Sequence, residues 1–249
     1  SGAARPVGSL ALAQGEPCEG GGLRCANVHL GVVADAVLVA TPGGWYVLSV
    51  AAAERSPAGI CLDAGLQWTA AQLTAAPRVD VRLPAGCDLR TLQAAVYAAQ
   101  LSGALMSVFQ RTLQYANDRN QFGRPIGKFQ AIQHQLSVMS EHAFAARMAA
   151  QLGCSGDGIG LQRLRVAVAK ARTSEAALAV AELSHSIHGA IGFTAEYDLQ
   201  LYTRRLHAWR QAAGAESYWY SVAGACLVDQ HAGLTLDLIR QTTDSLEAR

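Results

Sequence analysis

The spacing of apolar positions changes once along the chain. Over residues 22–84 they come in short runs, at 30–33, 36–40, 45–50 and 59–62, broken by Gly, Pro and Asp. Runs of that length, rich in β-favouring residues and separated by turn signals such as Thr41-Pro42-Gly43-Gly44, predict strands and a small β domain.

After Cys87 the period lengthens. Asp88 is placed to cap a helix, and apolar residues recur at Leu89, Leu92, Val96, Ala99, Gly103 and Met106, a spacing of three to four that predicts one buried helical face. Small residues at Ala94, Ala95, Ala98, Ala99 and Gly103 would let neighbouring helices approach closely. Further helices are predicted over 128–152 and 161–187, with Cys154-Ser155-Gly156-Asp157-Gly158 between them. A break at 189–194 leads to a short helix, a long one near 208–228 and a polar-ended last helix to about residue 246. The fold class is therefore α+β and mainly α: an unassigned segment 1–21, a β-barrel-like domain 22–87, and a four-helix bundle 88–249.

Composition narrows the function classes. The chain has 249 residues, 51% hydrophobic and 16% charged, enough to bury a large core in more than one domain. Its formal net charge of +1 and the absence of a basic segment argue against a nucleic-acid partner. No run of about 18 uninterrupted apolar residues is present, which argues against a membrane span. The first residues have neither the charged nor the apolar part of a signal peptide, so a cytoplasmic protein is expected. The six cysteines are scattered with no C-x-x-C pair, so neither a zinc site nor a disulfide is expected.

The stretch 115–136 carries the candidate chemistry. Gly123, Pro125 and Gly127 mark a turn between two helices, so the guanidinium of Arg119, the carboxamide of Gln121 and the ring of Phe122 stand at a helix junction. An Arg beside an aromatic suits a pyrophosphate next to a flat ring, because the planar fork binds phosphate bidentately while the ring stacks. A surface helical hairpin with a charged corner is the alternative meaning of the same residues.

Residues 119–136, RNQFGRPIGKFQAIQHQL, resemble the signature of the acyl-CoA dehydrogenase family, and His188-Gly189-Ala190-Ile191-Gly192-Phe193-Thr194 resembles its second signature. The resemblance covers residues 89–226 well and 22–84 loosely. It implies FAD as cofactor, with the Arg-x-Gln-Phe-Gly turn of one subunit reaching the adenosine and pyrophosphate of FAD held mainly by another. On that basis Arg119, Gln121, Phe122, Ile126, Phe129 and Gln130 are expected near FAD. The second motif usually reads Gln-x-x-Gly-Gly-x-Gly; here Ser186, Gly189, Ala190 and Gly192 stand in its places, without the long carboxamide. The flavin-contacting Thr-Glu-Pro-Gly motif of the family's β domain is absent, and its nearest counterpart, residues 10–15, lacks the hydroxyl. The family normally begins with a further helical domain, and nothing before Gly22 is long enough to be one.

The same resemblance leaves the catalytic base unassigned. The family's Glu falls on Ala213, and the alternative position used by some relatives falls on Gln93. Neither a methyl group nor a carboxamide can take and hold a proton near neutral pH. Glu216, one helical turn beyond Ala213, and Glu196 are the displaced candidates, each with the plainer meaning of a solvated helix carboxylate. His185 and His188 are two neutral ligands without a third, and the family uses no metal, so none is expected. The resemblance thus implies an acyl-CoA dehydrogenase subunit acting on an acyl-CoA with a second subunit that supplies the Glu, and an electron-accepting flavoprotein. The run 188–201, HGAIGFTAEYDLQL, looks most like subunits acting on steroid-derived and other bulky acyl-CoAs. A non-catalytic binding or scaffold member, and an active homo-oligomer with a displaced carboxylate, are the rival readings.

Overall fold

In the computed structural model, residues 8–58, 62–155, 161–230 and 233–243 are described. They fall into two compact units, 1–83 and 84–249.

The first unit contains two four-stranded sheets. Strands β1 (Leu10–Gln14), β4 (Ala36–Thr41), β5 (Gly44–Ser49) and β8 (Arg78–Val79) form one, in the order β1-β4-β5-β8. β1 runs parallel to β4, whereas β4 and β5 form a hairpin in which Thr41 pairs with Gly44 across Pro42-Gly43. Strands β2 (Glu16–Pro17), β3 (Leu23–Val28), β7 (Ala64–Trp68) and β6 (Glu54–Pro57) form the second, in the order β2-β3-β7-β6. Alternate residues of both sheets, among them Ala13, Val37, Val39 and Leu48 from one and Leu23, Cys25, Leu66 and Trp68 from the other, bury one common core. A short helix, α1 (Ala70–Ala75), follows a reciprocal Thr69–Gln72 capping box.

Two sequence expectations fail here. Residues 30–33 are a turn, not a strand: Leu30 takes φ +58 and its N–H is held by the Asp63 carboxylate at 3.1 Å. Residues 10–17, for which no element was expected, contribute two strands, because Leu10-Ala11-Leu12-Ala13 alternates inward and outward beside β4. Of the expected strand at 59–62, residues 59–61 lie outside the described residues; so do 156–158 of the expected helix break and 244–246 of the last helix.

The second unit is helical: α2 (Leu89–Asp118), α3 (Gln130–Cys154), α4 (Arg163–His188), α5 (Leu199–Gln211), α6 (Glu216–Ala225) and α7 (Thr235–Thr243). Asp88 caps α2, accepting from Thr91 N at 2.8 Å and from Arg163 Nη1 at 3.0 Å, so the cap also ties α2 to the start of α4. Helices α3 and α4 meet through alanines. Gly153 permits the contact, since a Cβ there would lie 2.5 Å from the Ala169 Cβ.

The buried face of α2 is not the one its large apolar residues suggest. It runs through Thr91, Ala94, Ala95, Ala98, Leu101, Ser102, Leu105, Val108, Thr112 and Ala116. Leu89 is shared, but Val96, Ala99 and Gly103 are exposed. The small residues win because they let α4 approach closely, and close approach recovers more contact than a wider gap filled by Val96. By length and composition α2 is also apolar enough to cross a membrane, yet much of it is covered by α3, α4 and α5.

The helix expected over 208–228 is broken. Ala212-Ala213-Gly214-Ala215 forms a turn between α5 and α6, with Ala213 at φ +55 and Gly214 at φ +102, so the fourth member of the bundle is two short helices.

Candidate functional site

The Arg119 corner is a small β-hairpin set between two helices. β9 (Asn120–Gln121) pairs with β10 (Arg124–Pro125), leaving Phe122 and Gly123 as the two turn residues. Both have positive φ, +53 and +79, as the primed hairpin turns require. Gly123 adopts this freely; a bulky aromatic does so only against its steric preference. The Phe122 ring is 92% exposed. Beside it, Arg119 ends α2 through an N–H bond to Tyr115 O at 2.8 Å. Arg119 is exposed and makes no ion pair among the described residues. Gln121 and Gln130 are exposed too, while Ile126 and Phe129 are half-buried; Phe129 meets the Phe122 ring edge-on at 6.2 Å and carries the Arg124 guanidinium 4.2 Å above its centroid.

The second motif lies alongside. His188 ends α4, stacks on Tyr115 at 4.3 Å, and donates through Nδ1 to Ser184 O at 2.8 Å. Burial, outweighing that hydrogen bond, holds the His188 pKa below the usual imidazole value. Ser186 receives a hydrogen bond from Gln135 of α3 at 3.2 Å, tying the second motif to the helix that leaves the hairpin. Gly189 takes φ +63 and has open space where a Cβ would stand, so a ligand can approach its backbone; Ala190 is exposed beside it. Two sets of sequence-chosen residues are therefore adjacent: Arg119, Gln121 and Phe122 on one side, Ser186, Gly189 and Ala190 on the other. A free guanidinium, an outward ring and an open glycine backbone fit the adenosine-pyrophosphate portion of a dinucleotide.

The two positions on which the family resemblance places the catalytic base, Ala213 and Gln93, are at the other end of the bundle. Ala213 packs in the cluster formed by Trp219, Ala94 and Ala95, and Gln93 is the residue before Ala94. The turn bearing Ala213 is held from inside. Lys170, fully buried, donates to Ser174 Oγ at 2.8 Å, Arg210 O at 2.9 Å and Gly214 O at 3.0 Å, and Trp219 Nε1 donates to Ala213 O at 3.0 Å. Sequence reading missed Lys170; its signal was a lone lysine inside an alanine-rich helical run. Burial pushes its pKa from 10.5 to about 7, against the attraction of Glu216. Glu216 is paired with Arg210. Burial alone would raise the Glu216 pKa, but the Arg210 hydrogen bond and the nearby Arg210 and Lys170 charges together hold it below the usual carboxylate range. A carboxylate so placed is a poor proton acceptor. Glu196 is exposed near the second motif, not beside Ala213.

The architecture and these two ends define a class: a β unit followed by a helical bundle, with one exposed corner that carries Arg119 and Phe122. The family model for the acyl-CoA dehydrogenase C-terminal domain matches residues 91–222. The acyl-CoA dehydrogenase FadE34 of Mycobacterium tuberculosis is 34% identical over 194 residues, 76% of this chain and 27% of its own length. Among solved structures, the ChsE4-ChsE5 complex from Mycobacterium tuberculosis is similar with a TM-score of 0.67 at 23% identity, covering 93% of this chain and 65% of that one. The Tcur3481-Tcur3483 steroid ACAD is similar with a TM-score of 0.64 at 22% identity, covering 91% and 64%. The chain thus spans about a quarter of the length of FadE34 and just under two thirds of each solved chain. This chain belongs to the acyl-CoA dehydrogenase family, whose members are FAD-binding flavoproteins.

Proposed function

We propose that this chain is a subunit of an FAD-dependent acyl-CoA dehydrogenase, working with a second family chain that supplies the catalytic carboxylate. The observation that carries the reading is a distance along α2. Gln93 and Arg119 are 26 residues apart on one helix, about 39 Å at 1.5 Å per residue. One chain therefore cannot bring its own Arg119 corner to its own Ala213 turn. The corner serves a cofactor whose reactive end lies in a neighbouring subunit, and this chain's own base positions, Ala213 and Gln93, carry no carboxylate. That the similar ChsE4-ChsE5 structure is a complex of two named components supports this reading.

In this arrangement Arg119 and the Gly189 backbone bind pyrophosphate, Phe122 covers the adenosine, and Ile126, Phe129 and Gln130 line the same region. FAD, when bound, supplies the acceptor for the hydride leaving the β-carbon of the thioester. The α-proton goes to the partner's carboxylate. The resemblance of residues 188–201, together with the similarity to a steroid ACAD, supports a bulky or steroid-derived acyl-CoA as substrate, with an electron-accepting flavoprotein reoxidising the cofactor.

Replacing Arg119 by Ala removes a charge-assisted bidentate contact worth roughly 2–3 kcal/mol. Flavin retained by the assembled protein is expected to fall by one to two orders of magnitude, about tenfold per 1.4 kcal/mol. Equilibrium dialysis of FAD against parent and variant reads this directly. Equal retention in a folded, assembled variant would remove Arg119 from the cofactor site.

A further inference from the structure

Between the end of α4 and α5 lies a pocket of about 490 Å³, lined by none of the hairpin residues. Gln200, Thr203, Arg204 and His207 recur at intervals of three and four, so one face of α5 turns towards it. Its other wall is His185 of α4 and Phe193, whose rings stack at 4.2 Å and 19°. No carboxylate is among the described residues that line it. His185 is fixed by a 3.0 Å hydrogen bond between Nε2 and Thr203 Oγ1, so the stacked Phe193 has a rigid backing on one face while 71% of it remains exposed. The Arg204 guanidinium is exposed and enters no ion pair among the described residues, and His207 stands exposed one turn further on. A volume of this size is within the range of small-molecule sites.

We infer that this pocket binds the ADP portion of a nucleotide, with the flat base on the free face of Phe193 and the phosphates on Arg204 and His207. The chemistry is that of a planar ring carrying adjacent negative charge: an aromatic platform for the ring, a planar fork and an imidazole N–H for the phosphates. The pocket is separate from the hairpin corner. Consecutive residues of α4 face different neighbours, Ser186 towards Gln135 of α3 and His185 towards Thr203 of α5. Free ADP and coenzyme A share the recognised chemistry and are distinguished below.

The test is calorimetric titration of ADP into the purified chain and three variants whose fold is checked by circular dichroism: Arg204→Gln, Phe193→Leu and Arg119→Ala. Saturable ADP binding is expected to persist in Arg119→Ala, which removes any ADP held at the hairpin corner, and to weaken about tenfold or more in Arg204→Gln and in Phe193→Leu. Coenzyme A titrated in place of ADP assigns the source. Binding with the same Arg204 dependence makes the pocket a seat for the nucleotide end of a thioester, and binding of ADP alone makes it a free-nucleotide site. Absence of saturable binding at millimolar ADP overturns the inference, as does binding lost on Arg119→Ala but indifferent to Arg204→Gln, which would put ADP on the hairpin corner. That second outcome would leave the cofactor reading of Arg119 standing.

Discussion

Purified alone, this chain is expected to oxidise acyl-CoA thioesters at a rate about 10²–10⁴-fold below that of a family enzyme with its Glu in place, the usual contribution of a positioned general base. The vacancy is chemical: Ala213 offers a methyl group, and Gln93 a carboxamide that does not ionise. The backbone around Ala213 is nevertheless well held, by two hydrogen bonds from Lys170 and one from Trp219. The closest carboxylate in sequence, Glu216, is occupied by Arg210 and holds its charge strongly. Glu216→Gln is therefore expected to leave the residual rate unchanged within about a factor of two, while costing some stability through the orphaned Arg210. Dye-coupled oxidation of several acyl-CoAs by both proteins provides the measurement. Robust activity of the parent that vanishes in Glu216→Gln would make this carboxylate a displaced base and the chain an active homo-oligomer.

Lys170 gives the second large effect, on stability. It is one of two lysines in the chain, and the other, Lys128, is exposed. With a folded pKa of about 7 against 10.5 unfolded, the unfolded state binds the extra proton between those values. Unfolding free energy therefore rises with pH across this window, as the cost of burying the charge is relieved, and below pH 7 the full cost is present. From pH 7 to pH 9 the relief is on the order of 2 kcal/mol. Lys170→Met keeps the aliphatic stem and removes the titration, so the parent should gain about that much relative to the variant over the same interval. Urea unfolding at pH 7, 8 and 9 checks it. Burial pushes the Cys25 thiol up to about 12 and gives an opposite slope at higher pH, but it is common to both proteins and cancels in the difference. Parallel pH profiles for parent and variant would mean that Lys170 is buried without being perturbed.

The helical half was legible because its signals are local. Asp88 as a cap, the Gly-Pro-Gly turn after Arg119 and the Gly189 break each act within a few residues, and each stands where the sequence placed it. The face of α2 was misread because the chain offers two apolar faces. Choosing between Val96-Ala99-Gly103 and Ala94-Ala98-Leu101 depends on how closely α4 packs, which no periodicity records. The break at Ala213 was missed for the opposite reason. Alanine is a strong helix former, and its left-handed conformation is imposed by Lys170 and Trp219, more than forty positions upstream and six downstream respectively. In the β unit, the run at 30–33 has strand-like residues but pairs with no strand among the described residues, and a carboxylate 33 positions away captures its backbone. The sequence grouped Arg119, Gln121 and Phe122 at one helix junction, but the strained, outward Phe122 could only be seen in three dimensions.

The central claim is that a second chain completes the active site, and reconstitution tests it most directly. This chain is co-expressed with candidate family members that carry the Glu at the base position, and the purified assemblies are assayed for flavin absorbance and dye-coupled acyl-CoA oxidation. The account predicts a yellow hetero-oligomer whose activity appears only with such a partner and disappears when the partner's Glu is replaced by Gln. An assembly that keeps its activity after that replacement, or an active yellow homo-oligomer of this chain alone, would contradict it.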